Sequence, residues 1–258
     1  VTALLRYTIN IKTSPVGEAE LPLGIPKVGG LPDLPPEIDW PEWDNQPLPL
    51  IAQIRLADSA PYDRSGELPQ TGMLYFFFHE EALNTYPPAR DSWHVLYYDG
   101  DAAHLQRRLA SSEEQLIYPT CAVEFSTMLT LPPFESLYLE RLGLSYDAYR
   151  PEASYAQKRE AAAYVELTEQ LEALSESASP YHQLLGHPYQ VQGDLLLECQ
   201  RDTHSKGDPT DWRLLLQVDS DDDAHMMWGD VGVLYFSIPQ QALITRDFAQ
   251  VHLIMQCG

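Results

Sequence analysis

The densest run of chemically capable side chains in this 258-residue chain is Asp219-Ser220-Asp221-Asp222-Asp223-Ala224-His225-Met226-Met227-Trp228-Gly229-Asp230. Read as a cation loop, it sets Asp219, Asp221, Asp223 and Asp230 at the first, third, fifth and twelfth positions, an oxygen spacing that can wrap a hard cation such as calcium. Two positions argue against that chemistry. Ala224 stands where such a loop needs glycine for its turn, and Met227 stands where it needs a polar ligand. The preceding Trp212 to Val218 also reads as a strand, where a calcium loop would follow a helix. The competing reading is an acidic connection between two strands, with Trp228 as its packing anchor.

Other catalytic signatures break off. His79-Glu80-Glu81-Ala82-Leu83 opens like a metalloprotease helix but has Leu83 where the second histidine must fall. Lys27-Val28-Gly29-Gly30 lacks the spacing of a phosphate-binding loop, and neither G-x-S-x-G nor G-x-G-x-x-G occurs. His182 and His187 flank Gly186 at a spacing that suits neither a helix face nor a strand face. The sequence therefore assigns no catalytic residue and no cofactor. Its candidate binding residues are Lys27, Gly29, Gly30, Trp40, His187, Asp219, Asp221, Asp222, Asp223, Trp228 and Asp230.

The elements that would position these residues can be read from periodicity. Residues 22 to 49 carry Pro22, Pro26, Pro32, Pro35, Pro36, Pro41, Pro47 and Pro49, which excludes a helix or a central strand. Trp40, Trp43, Leu31, Leu34 and Ile38 give that segment apolar anchors, so it is expected as an ordered loop across the body. A repeat follows. Gly72-Met-Leu-Tyr-Phe, with Ala82-Leu83 beyond it, matches Gly232-Val-Leu-Tyr-Phe with Ala242-Leu243, and Leu50-x-x-Gln53-Ile matches Leu214-x-x-Gln217-Val. Short runs rich in aromatic and β-branched residues, bounded by Gly and Pro, make these strands.

Ser154 to Ser177 holds no Gly or Pro, and Tyr164, Leu167, Leu171 and Leu174 recur at helical spacing. These features predict an α+β fold: a mainly antiparallel β-sheet built from two pseudo-repeats, about 20–134 and 181–258, with a long amphipathic helix in an insert at about 135–179. Residues 1–258 are expected to form a single domain.

The charge bounds the partners. With 38 Asp plus Glu against 16 Lys plus Arg, the formal net charge is −22, which argues against nucleic acid and anionic membrane surfaces. The longest apolar run, Met73 to Phe78, is far short of the ~20 residues a spanning helix requires. No secretory leader is visible at the N-terminus. Cys121, Cys199 and Cys257 are widely spaced and form no C-x-x-C pair, which fits reduced, buried thiols in a cytoplasmic protein.

Several motif blocks run in order along the chain: Lys27-x-Gly29-Gly30-x-Pro32-x-Leu34-Pro35, Trp40-Pro41, Leu50-x-x-Gln53-Ile54 and Gly72-x-Leu74-Tyr75-Phe76. They continue with Leu185-Gly186-His187-Pro188, Gln217-Val218-Asp219-Ser220-Asp221 and Trp228-Gly229-Asp230-x-Gly232. Together they resemble the YwqG-like family of bacterial proteins. That resemblance implies a cytoplasmic, internally duplicated α+β protein and carries no activity or cofactor with it. The expected function is non-enzymatic binding, with a basic protein partner of an immunity type drawn by the acidic surplus. The alternatives are a cation-assisted hydrolase, or a small-molecule or peptide binder, using the Asp219–Asp230 and Lys27–Trp40 loops.

Overall fold

The structure is a computed structural model that describes residues 2–85, 87–110, 115–145, 150–151, 153–174 and 179–258. Its strands are, in chain order, β1 (Arg6–Pro15), β2 (Lys27–Val28), β3 (Asp33–Leu34), β4 (Glu42–Trp43), β5 (Gln46–Pro47), β6 (Leu50–Arg55) and β7 (Met73–Phe78). They continue with β8 (Trp93–Tyr98), β9 (Gln106–Arg107), β10 (Cys121–Thr130), β11 (His182–Leu184), β12 (Trp212–Asp219), β13 (Val233–Pro239) and β14 (His252–Gln256). The α-helices are α1 (Leu56–Ser59), α2 (Leu137–Arg141), α3 (Tyr155–Leu174), α4 (Leu195–Thr203) and α5 (Gln240–Thr245).

Ten strands form one antiparallel sheet in the order β14-β13-β12-β11-β1-β10-β2-β6-β7-β8. The sheet curls into a nearly closed barrel. Its edge strands meet through Trp93 of β8, whose indole Nε1 donates to Val251 O at 3.3 Å and whose ring centroid lies 5.6 Å from that of His252. Across the interior, Phe76 of β7 and Phe236 of β13 pack edge to face with centroids 5.2 Å apart.

Strand β7 is buried at all six positions because both of its faces are covered. Leu74, Phe76 and Phe78 join the barrel interior. Met73, Tyr75 and Phe77 lie on the outer face with Leu34 and Leu48 of the proline-rich segment, which is laid over the sheet as a loop. On β13, Leu234, Phe236 and Ile238 point inward, and Val233 and Tyr235 lie under Leu195, Leu196 and Cys199 of α4. Helix α4 starts where Asp194 Oδ1 accepts the backbone N–H groups of Leu196 and Leu197 at 2.7 and 3.0 Å.

The expected α+β class is corrected. The molecule is mainly antiparallel β, one curled sheet that takes strands from both stretches of sequence, with few helices, most of them short. Among the described residues, no long helix with a buried apolar stripe separates two sheet units. Residues Tyr155–Leu174 are helical, and Ser154 Oγ accepts Gln157 N at the start, but Ala161 and Tyr164 are the only buried residues among the described side chains of α3. Leu167 and Leu171 stay half-buried, because the small cluster beneath them is capped by Leu131, Leu139 and Leu144 and offers no broad apolar face. Spacing alone suggested a stripe; the surface available to receive it is too small.

The two ends of the sheet repeat the same contacts. Gln53 Oε1 accepts Asp33 N at 3.0 Å and its Nε2 donates to Ile25 O at 2.8 Å; Gln217 does the same with Tyr189 N at 2.9 Å and Tyr181 O at 2.7 Å. The Tyr75 hydroxyl donates to Asp33 O, and the Tyr235 hydroxyl to Tyr189 O, each at 2.6 Å. Lys27 faces Gln53 in register as Gln183 faces Gln217. The central pair is crossed over: β1, from the start of the chain, flanks β11, and β10 flanks β2.

Candidate functional site

The sequence candidates are distributed over both ends of the β1–β10 ladder, in which Arg6 faces Thr130 at one end and Pro15 faces Cys121 at the other. Ten residues of strand separate these ends by ~30 Å. Lys27 lies beyond the Pro15 end and His187 beyond the Arg6 end, so the two do not share a site. The acidic loop reaches the Pro15 end, where Thr13 Oγ1 donates to Asp221 Oδ2 at 2.9 Å. There it approaches the glycine pair through Tyr118, whose carbonyl accepts Gly30 N at 2.9 Å and whose ring centroid is 5.8 Å from that of Trp228.

Lys27 is fully buried, with Nζ 2.7 Å from Glu18 Oε1 and 3.8 Å from Asp33 Oδ2. Arg107 adds Nε contacts of 2.8 Å to Glu18 and 2.9 Å to Asp33, and Thr120 donates to Glu18. Burial lowers the Lys27 ammonium below its ordinary range. Burial alone would raise the Glu18 carboxyl, but hydrogen bonds from Lys27 and Thr120 outweigh it and hold the group low; Asp33 is held low in the same way, chiefly by Arg107. Every charge in this cluster is paired inside the protein, and Lys27 is closed off from solvent. Gly29, at φ +68°, has Pro119 O where a Cβ would stand, so its glycine serves close packing. Trp40 is half-buried and donates from Nε1 to Leu48 O at 2.7 Å.

In the acidic loop, Asp219 Oδ2 accepts Tyr181 N at 2.9 Å. Asp221 accepts Thr13 and Asp223 N, and its Oδ2 lies 3.0 Å from His182 Nε2. His182 Nδ1 accepts Asp219 N, so Nε2 carries the proton and donates to Asp221. Desolvation would raise the Asp221 carboxyl, but these bonds, led by that from His182, pull it down to about 2. Trp228 is fully buried, with Nε1 donating to Asp219 O at 3.2 Å. Asp222, Asp223 and Asp230 are exposed. Among the described residues, no three His, Cys, Asp or Glu side chains are grouped to hold an ion. The two inner carboxylates of the loop already serve protein donors and brace its turn.

The arrangement best suited to a ligand lies at the other end of the ladder, in a cavity of about 390 Å³. One wall is the chain leaving β10, from Thr130 to Phe134; the floor carries Gln183 and His187; Tyr181 and Tyr189 form one rim and Thr168 and Leu171 of α3 the other. The two tyrosine rings stack at 4.8 Å. Gln183 is 7% exposed. Its Nε2 donates to Leu185 O at 3.0 Å and to His187 O at 2.8 Å, which fixes the amide so that Oε1 is its free acceptor. His187 donates from Nε2 to Leu4 O at 2.8 Å, and burial, with Arg6 nearby, pushes its pKa down to about 3. The imidazole is therefore neutral, with Nδ1 as its lone-pair nitrogen. A larger groove of about 750 Å³ runs along α3 beside Leu142, Leu144 and Leu167, but its described lining brings no buried polar groups together.

Of the sequence candidates, only His187 lines the cavity. Gln183, Thr130, Tyr181 and Tyr189 escaped notice because none belongs to a reactive motif. The signal that finds them is the repeat carried upstream: Gly30 and Pro32 stand to Lys27 as Gly186 and Pro188 stand to Gln183.

No curated protein matches the chain. Residues 26–257, which span the sheet from β2 to β14 and take in every wall of the cavity, match the family described as a domain of unknown function, DUF1963. The chain belongs to that family.

Proposed function

We propose that the protein is a non-enzymatic binding protein that holds a small organic molecule in the cavity between β10, β11 and α3. The observation that carries this reading is Gln183, a side chain more than nine-tenths buried whose Oε1 accepts no hydrogen bond from a described residue, set in the floor of a formed cavity. That oxygen opens on the cavity with no donor from a described residue, so a ligand N–H can take it without displacing a protein contact. Stacked tyrosines and the apolar Pro133, Phe134 and Leu171 supply the rest of a ligand pocket. His187 spends its one N–H on Leu4 O, which leaves it no proton to give to a substrate.

The partner reading retains one favourable observation: Met227 and Val231 are exposed beside Asp222, Asp223 and Asp230, a mixed apolar and acidic patch that suits a basic protein. Trp228 is enclosed and contributes nothing to that surface. The motif blocks support placement in the YwqG-like branch, and the three free cysteines support a reducing, cytoplasmic setting.

The test is a fragment screen on isotope-labelled protein read by NMR. The expected result is a set of hits that move the Gln183 side-chain amide together with the methyl groups of Met128 and Leu171, and that are lost in Leu171→Trp, which fills the cavity from the helix side. A screen whose hits leave those resonances unmoved overturns the proposal.

A further inference from the structure

The cavity has a counterpart at the other end of the sheet, and that counterpart is full. Glu18 Oε2 accepts Leu31 N at 3.1 Å as Thr130 Oγ1 accepts His187 N at 2.9 Å. Asp33 and Tyr189 make the same two backbone hydrogen bonds to their glutamine and tyrosine neighbours, and Lys27 and Gln183 hold the same register position. The slot between these residues in the first half is occupied by the Arg107 guanidinium, which donates to Glu18 O at 2.6 Å and Leu21 O at 3.2 Å and pairs with Asp33. In the second half, Glu18, Asp33 and Lys27 give way to Thr130, Tyr189 and Gln183, and the slot is open.

From this comparison we infer that the open slot takes an uncharged, planar molecule that presents an N–H donor, of the lactam or nucleobase type. The inference rests on the binding proposal above. Planarity follows from the flat group that the matching slot holds and from the stacked Tyr181 and Tyr189 rings at the rim. The donor follows from Gln183, whose Oε1 is unpaired while its Nε2 is spent on two carbonyls. Neutrality follows from the exchange of residues. Among the described residues that line the cavity no carboxylate replaces Glu18 and Asp33, so a cation would meet no counter-charge from them. Arg6 and Arg213 already act on His187 as positive neighbours. An anion would find an acceptor at Gln183 where it needs a donor.

Four probes decide the matter on the full-length protein: uracil, 1,3-dimethyluracil, methylguanidinium and benzoate, each titrated by NMR on the Gln183 amide and the Met128 methyl. Uracil should bind saturably and at least tenfold more tightly than the other three, because dimethyluracil keeps its shape and loses its N–H groups. Gln183→Leu should weaken uracil at least tenfold. Leu171→Trp, which leaves the sheet untouched, should abolish its binding, so the conclusion survives if the Gln183 variant fails to fold. Equal binding of uracil and dimethyluracil, tighter binding of methylguanidinium or benzoate, or no binding of uracil overturns this inference. If screened fragments still occupy the cavity in that case, the binding proposal stands and the ligand class alone is wrong.

Discussion

His187 is held neutral by burial in the floor of the cavity, and that has a measurable consequence at the level of one side chain. Its folded-state pKa, about 3, lies below the ordinary value of 6.5, so between those limits the unfolded chain binds more protons than the folded one. The stability this group contributes is complete above about pH 6.5 and is lost as the pH falls toward 3. Urea unfolding at pH 7 and pH 5 should show the wild type losing ~2 kcal/mol more than His187→Gln over that interval. Equal losses in the two proteins would mean that His187 is not the desolvated group. Sequence could place this histidine in a turn; its neutrality depends on burial and on Arg6, remote in the chain, which together outweigh the opposing hydrogen bond to Leu4 O.

The acidic loop shows at the scale of an element how similar residue types serve different ends. Five aspartates spaced along Asp219 to Asp230 look like a cation site, but Asp219 and Asp221 are turned inward onto Tyr181, Thr13 and His182. The loop is an internally braced connection between β12 and β13, and Trp228 plugs it into the barrel against Phe78 and Tyr118. Asp221→Asn should therefore cost ~2 kcal/mol at pH 7, the equivalent of its depressed pKa, and calorimetric titration with calcium should show no micromolar binding in either protein. Micromolar calcium binding abolished in Asp221→Asn would restore the cation reading. Helix α3 is the opposite case: its composition favours helix from end to end, but its packing is confined to the cluster around Tyr164, whose hydroxyl donates to Pro132 O at 2.6 Å.

At the scale of the whole molecule, the interior belongs to neither half alone. Phe76 packs on Phe236, Phe78 on Trp228, and Trp93 closes the sheet against Val251. Residues 1–134 alone would expose the inward faces of β6, β7 and β8, and they should show no cooperative thermal transition by circular dichroism, whereas the full chain unfolds in one step. A cooperatively folding fragment would show that the halves are independent. The strand-forming runs, the recurrence of Gly72 to Phe76 at Gly232 to Phe236 and the irregular course of the proline-rich loop are legible in the amino-acid order, because they depend on propensity, on covalent limits to φ and on short-range pattern. Which half is filled is set by long-range contacts. Lys27 looked available until Glu18, Asp33 and Arg107 converged on it, and Gln183 looked ordinary until β10 and β11 were laid on either side of β1. Pairings across dozens of residues set those charges and that vacancy, and no local pattern encodes them.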